Sequence, residues 1–175
     1  MNVDGTPYRT IWLAADGWAV EIIDQTKLPH EFVTVRLENL DDACAAIRDM
    51  WVRGAPLIGA TAAYGMALAV HADPSDVAMA KAYEALYATR PTAVNLRWAL
   101  DEMKALLASL SPNERKDAAY KRAAEICDED VDICSTIGDN GKPLIESAWT
   151  AKGKPALHEG GVNVLTHCNA GWLAT

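Results

Sequence analysis

The segment Arg53-Gly54-Ala55-Pro56 places an arginine and small residues at the start of a long apolar stretch. Glycine ends helices and proline begins them, so we expect a helix to start here. The N–H groups at a helix N-terminus attract anions, and small residues let an anion approach them. The segment therefore suits a phosphate, although an ordinary turn between two helices, with Arg53 in solvent, would show the same pattern.

Arg90 is a second cationic residue at an expected helix boundary, in Thr89-Arg90-Pro91-Thr92. Its guanidinium has paired N–H donors that match phosphate oxygens. Exposure to solvent is the alternative, since most arginines beside a helix start are solvated. Arg90 is thus a candidate for the same anion as Arg53.

A cysteine near the C-terminus is the candidate reactive group. The β-branched run from Val162 to Cys168 predicts a strand, and the following Asn169-Ala170-Gly171 predicts a turn and a helix start. Ligands of open α/β folds bind at the carboxyl ends of strands, where a helix N-terminus can lower the pKa of a thiol, although an apolar pocket would raise it. A packed core cysteine is one alternative. A metal site is disfavoured, because His167 and Cys168 would point to opposite faces of a strand.

The first forty residues carry the pattern of extended strands. Apolar and polar residues alternate in residues 9–24 and 32–39, and Asp16-Gly17 marks a tight turn within the first of these segments. Pro29 lacks the N–H that a strand ladder needs, so its surroundings form a loop or a strand end. These features predict a small antiparallel sheet.

From Asn39 onward the apolar spacing changes to that of helices. Asn39 or Asp41 is a candidate N-cap for a first helix whose apolar stripe stops at Trp51. An almost wholly apolar helix from Pro56 through Val70 is expected at the centre of the core. Further helix boundaries are predicted at residues 74–75, 89–92 and 111–114, the last being a capping box followed by helical structure toward Ile137.

Two turn-forming clusters, residues 140–143 and 152–155, indicate a change of domain. We assign residues 1–150 to an α+β domain of a small antiparallel sheet plus helices. Residues 151–175 are assigned to a linker and the first strand of a second, doubly wound domain. Parallel strands need neighbouring strands and covering helices, so we expect the chain to be part of a longer protein that is truncated here.

The composition excludes several classes of function. A formal net charge of −8 offers no basic surplus for binding nucleic acid. The N-terminus lacks the regions of a secretory signal, no apolar run reaches about 20 residues, and the cysteine spacing is typical of reduced thiols, so we expect a cytoplasmic protein. Nucleotide-binding glycine motifs are absent from the sequence.

Three segments, in this order, resemble the methylthioribose-1-phosphate isomerase family: RGAPLIG (53–59), RPTAVNL (90–96) and LTHCNAG (165–171). The resemblance implies an N-terminal sheet-plus-helices domain, a Rossmann-like domain, an active site between them and a homodimer. It also implies that Arg53, Gly54 and Ala55 bind the substrate, that Arg90 contacts its phosphate and that Cys168 is the active-site cysteine. The catalytic aspartate of the family would lie beyond residue 175, and no metal or organic cofactor is implied.

The reaction implied by the resemblance converts 5-methylthioribose 1-phosphate, a cyclic aldose, into the open-chain ketose 5-methylthioribulose 1-phosphate. An acid assists departure of the ring oxygen, and hydrogen then moves between C2 and C1 as a proton or a hydride. Two related functions are alternatives: a ribose-1,5-bisphosphate isomerase, and a non-catalytic regulatory relative of the translation initiation factor 2B subunits. The chain alone is expected to be inactive, because the acid and most of the second domain are missing.

Overall fold

Two antiparallel sheets form the N-terminal part of the chain in the computed structural model, which describes residues 2–165. Strands β1 (Asn2–Val3) and β2 (Thr6–Pro7) pair with each other. The second sheet has the order β3 (Ile11–Leu13), β4 (Val20–Ile23) and β5 (Thr34–Leu37). The predicted antiparallel sheet is therefore confirmed, with Asp16-Gly17 in the turn between β3 and β4.

Five α-helices follow the sheets within the described residues. They are α1 (Leu40–Arg48), α2 (Ala55–Ala72), α3 (Asp76–Thr89), α4 (Val94–Ala108) and α5 (Pro112–Ala151), and a short 3₁₀ helix (Leu157–Glu159) comes after them. Their starts follow the sequence signals, because Asn39 caps α1, Ser75 caps α3 and Ser111 opens α5.

Helix α2 is the centre of the core. Every residue from Leu57 to Val70 is buried, in contact with residues of the other helices and the sheet. The helix is long and apolar enough to cross a membrane, but 78% of it is buried inside the protein, which is the property of a core helix. The predicted central helix is confirmed.

A buried arginine joins the ends of α2 and α4. Arg115 is 5% exposed, and it donates hydrogen bonds to the carbonyl oxygens of Pro74 at 2.6 Å and Leu107 at 3.0 Å. It also forms an ion pair with Asp76 at 2.7 Å. Since Pro74 follows α2 and Leu107 lies in the last turn of α4, both helices end at the same place.

Two predicted helix boundaries were wrong. Helix α1 ends at Arg48, and Met50 adopts a φ of 59°, so the last two residues of the predicted stripe lie outside the helix. Helix α5 continues through residues 140–143, where we predicted a turn, and contains Pro143. This part of α5 is exposed, so water solvates the carbonyl that the proline leaves unpaired, and an ion pair between Lys142 and Glu146 spans the position.

The second turn cluster is confirmed. Helix α5 ends at Ala151, and Gly153 and Lys154 have φ angles of 79° and 57°. The strand expected from Val162 is not formed over residues 162–165, because no other strand of the described chain lies beside it to pair with. The rest of that strand, the following turn and helix start lie outside the described residues. The assignment of a second domain stays a prediction.

Candidate functional site

The turn before α2 has the backbone that anion binding requires. Gly54 occupies the N-cap with a φ of 98°, a conformation that residues with a Cβ atom rarely adopt. No side chain caps this helix, and Pro56 has no N–H group. The remaining N–H groups of the first turn therefore have no side-chain partner within the described structure.

The start of α4 has the same property. Its N-cap, Ala93, has no side chain that can accept a hydrogen bond, whereas α1 and α3 carry side-chain caps and α5 begins with a capping box. Asn39 accepts a hydrogen bond from the N–H of Asp42 at 2.9 Å, and Ser75 accepts one from the N–H of Ala78 at 3.2 Å. In the box on α5, the Glu114 carboxylate accepts a hydrogen bond from the N–H of Ser111 at 3.1 Å. The two α-helices of the described chain with neither feature are α2 and α4, which follow Arg53-Gly54 and Arg90-Pro91.

The starts of α2 and α4 lie side by side. The Cα hydrogen of Gly59, one turn into α2, faces the first turn of α4, since a Cβ atom there would lie 2.9 Å from the carbonyl oxygen of Asn95. The two helices also end together at Arg115, so they run parallel. The positive ends of both helix dipoles are consequently adjacent, which increases the attraction for one anion.

Arg53 and Arg90 differ from the other arginines in their partners. Six of the eight arginines form ion pairs with carboxylates: Arg9, Arg36, Arg48, Arg97, Arg115 and Arg122. The side chains of Arg53, which is exposed, and Arg90, which is half-buried, form no ion pair or hydrogen bond within residues 2–165. Their guanidinium groups are therefore available for a phosphate.

An open groove of about 330 Å³ lies next to the two helix starts. Its apolar lining comes from three helices, with Pro56 on α2, Val94 and Trp98 on α4, and Ile126 and Ile133 on α5. No motif of the sequence predicted this groove. The sequence signal for it is the spacing of Val94 and Trp98, because large apolar residues at i and i+4 share one face of a helix. The structure leaves both exposed.

Two carboxylates complete the groove. Glu129 accepts a hydrogen bond from Arg122 at 2.5 Å, and this bond is the main reason that the pKa of Arg122 is raised. The neighbouring Asp130 also lines the groove and accepts a weak hydrogen bond from the Cys134 thiol at 3.9 Å. The α5 side of the groove is therefore acidic, in contrast with the two helix starts.

The predicted reactive residue Cys168 lies outside the described residues. Cys44 and Cys127 are buried, and burial raises the pKa of both thiols, to about 12 for Cys127. The helical patterns around Cys44, Cys127 and Cys134 predict packed core thiols; this is confirmed for Cys44 and Cys127 and wrong for Cys134, which is exposed. In the described part of the chain no group of three histidine, cysteine or acidic residues is placed to hold a metal.

The close approach of α2 and α4 at Gly59 can be tested by a substitution. Gly59→Ala forces a Cβ atom against the Asn95 backbone, and overpacking of this kind costs about 1–3 kcal/mol. The better helix propensity of alanine offsets about 1 kcal/mol of that cost. We expect a net loss of about 1 kcal/mol in the free energy of unfolding, measured by urea denaturation.

Gly138→Ala is the matched control, because a Cβ atom there meets nothing within 4 Å on an exposed part of α5. It should gain about 0.5–1 kcal/mol. Equal stabilisation by both substitutions would show that α2 and α4 do not contact each other at Gly59.

Comparison with known proteins places these features in a family. Residues 51–175 match the family model described as the initiation factor 2 subunit family. All 175 residues align at 62% identity with a methylthioribose-1-phosphate isomerase of Paramagnetospirillum magneticum, covering 47% of that protein. They also align at 58% identity with 95% of an uncharacterized protein of Rhodospirillum rubrum. The chain spans about half the length of the isomerases that it matches.

Two solved structures are similar to the chain. The 5-methylthioribose 1-phosphate isomerase from Pyrococcus horikoshii has a TM-score of 0.71 and 36% identity, over 95% of this chain and 45% of that one. Subunit delta of the translation initiation factor eIF-2B from A. fulgidus has a TM-score of 0.65 and 34% identity, over 71% of this chain and 38% of that one. The resemblance expected from the three sequence motifs is confirmed over the whole chain.

Proposed function

Because the chain belongs to the initiation factor 2 subunit family, we propose that it is the N-terminal half of an aldose–ketose isomerase acting on 5-methylthioribose 1-phosphate. One observation carries the proposal: the two arginines whose side chains have no partner in residues 2–165 precede two adjacent helix starts that have neither an N-cap side-chain hydrogen bond nor a capping box. This is the arrangement that a phosphate monoester needs, with dipole ends, free N–H groups and guanidinium groups on one side of the domain.

In the proposed complex, the phosphate of the substrate lies at the turn formed by Arg53, Gly54 and Ala55. The small side chains leave the first-turn N–H groups of α2 accessible, and Arg53 supplies a charge-assisted contact. Arg90 adds a second guanidinium from the turn before α4. The phosphate takes no part in bond making, so these contacts hold ground state and transition state about equally.

The chemical step belongs to groups beyond the described residues. The phosphate on C1 blocks the simple opening of an anomeric hydroxyl, so an acid protonates the departing ring oxygen. Hydrogen then moves from C2 to C1, and the C2 hydroxyl gives up its proton, which restores the acid and leaves the ketone at C2 with no net change in composition. We assign stabilisation of charge at the reacting carbons to Cys168, and the acid role to an aspartate of a following Rossmann-like domain. The full-length protein is proposed to be a homodimer.

A regulatory role, as in the initiation factor subunits, is the second candidate, and the likeness to the A. fulgidus subunit supports the same fold for it. The identity of 54–62% with isomerases over the full chain favours the enzyme. Turnover distinguishes the two functions, because a non-catalytic regulatory subunit does not isomerise a sugar phosphate.

The experiment is an isomerisation assay on the full-length protein with 5-methylthioribose 1-phosphate, followed by proton NMR of the ketose product. We expect turnover of this substrate, and no turnover by residues 1–175 without a second polypeptide. Absence of product from the full-length protein would refute the proposal. Turnover of ribose 1,5-bisphosphate in preference to the methylthio sugar would instead support the alternative isomerase.

A further inference from the structure

The groove beside the two helix starts exposes large apolar side chains to solvent. Val94, Trp98 and Ile133 are 80%, 44% and 57% exposed, and they lie on two different helices that face one another. Ile126, which also lines the groove, is only 4% exposed and belongs to the core. A cluster of this kind, built on a packed support and open to solvent, is typical of a binding surface for an apolar group.

The charges of the groove restrict what binds there. Glu129 and Asp130 both line it, and Arg122, the cation that contacts Glu129, is already bound to carboxylates. A phosphate on this side of the groove would meet two carboxylates and no free guanidinium. An uncharged, apolar group avoids that repulsion and covers the exposed side chains.

The groove begins where the proposed phosphate site ends. Pro56 lines the groove and directly follows Ala55, so their Cα atoms are about 3.8 Å apart. Val94, the first residue of α4, lines the groove from the other helix start. A ligand with a phosphate at one end and an apolar group at the other can therefore occupy both places at once.

We propose that this groove receives the methylthio group of the substrate, and that Trp98 and Ile133 thereby determine specificity for an apolar substituent on C5. The inference rests on the proposed function, which supplies the substrate. A thioether sulfur makes favourable contacts with an aromatic ring, here that of Trp98, and its methyl group is removed from water between the walls. A sugar with a second phosphate on C5 is rejected by Glu129 and Asp130.

The test compares two substrates of the full-length protein, 5-methylthioribose 1-phosphate and ribose 1-phosphate, which has a hydroxyl in place of the methylthio group. One small apolar group in a pocket is worth about 10–200-fold in kcat/KM, so the wild-type protein should prefer the methylthio sugar by about that factor. Ile133→Asn makes one wall of the groove polar and should lower the preference about tenfold, mainly by lowering kcat/KM for the methylthio sugar.

Ile137→Asn is the matched control, because Ile137 lies one turn further along α5, is 65% exposed and is not part of the groove. It should leave the preference unchanged, and Trp98→Ala, on the opposite wall, should lower it as Ile133→Asn does. If both groove variants keep the wild-type preference while turning over the methylthio sugar, the groove assignment is overturned and the proposed function stands. If the wild-type protein turns over neither sugar, both are overturned.

Discussion

Cys168→Ser should lower kcat of the full-length protein by about 10²–10⁴-fold while changing KM little. That range is typical of a group that transfers or stabilises a proton in the transition state. A hydroxyl is a much weaker acid than a thiol. Serine therefore has nearly the same shape as cysteine, but it stabilises or relays the charge that develops during the reaction much less well. An interaction made only in the transition state appears in kcat and not in KM.

Cys134→Ser is the control for this substitution, because Cys134 is an exposed thiol of α5 that forms no disulfide, and partial desolvation and Asp130 raise its pKa. Steady-state kinetics of both variants, with circular dichroism to establish that they fold, decide the matter. An unchanged kcat for Cys168→Ser would remove this cysteine from the mechanism.

Arg53→Ala should raise KM for 5-methylthioribose 1-phosphate about 10- to 150-fold with kcat nearly unchanged. Loss of one charge-assisted contact costs about 1.5–3 kcal/mol, which corresponds to that range. Arg53 forms no ion pair within the described residues, so its removal leaves no buried carboxylate without a partner and should not unfold the domain. We therefore expect the substitution to weaken binding of the substrate phosphate and to leave folding intact.

Arg48→Ala tests whether any nearby positive charge has the same effect. Arg48 lies five residues earlier in the chain and pairs with Asp49 at 3.0 Å, so its charge is already compensated. We expect the KM of this variant to stay within about twofold of wild type. Loss of an exposed ion pair costs only about 0–1 kcal/mol of folding stability and removes no contact with the phosphate. Similar rises in KM for both variants would point to long-range attraction and not to a contact at Arg53.

The prediction of the fold succeeded where the signal is local. A capping box joins residues three positions apart, and the alternation of a strand or the stripe of a helix repeats within a few residues. The sheet, the central helix α2 and the starts of α3 and α5 were predicted for this reason. The turn predicted at residues 140–143 was wrong, because glycine and proline only disfavour a helix locally, and an exposed helix tolerates both when its flanks are helical.

The sequence by itself determined which residues are chemically suited to bind a phosphate, since Arg53, Gly54, Ala55 and Arg90 are marked by residue type and by helix boundaries. Tertiary structure alone decided that the two turns lie together, because the parallel packing of α2 and α4 depends on Gly59 meeting Asn95 and on Arg115 joining their ends. The tertiary structure also decided which arginines form ion pairs with carboxylates. Arg9 pairs with Asp128 across 119 residues of chain, and no local pattern encodes a contact that only the packed core brings within 2.6 Å.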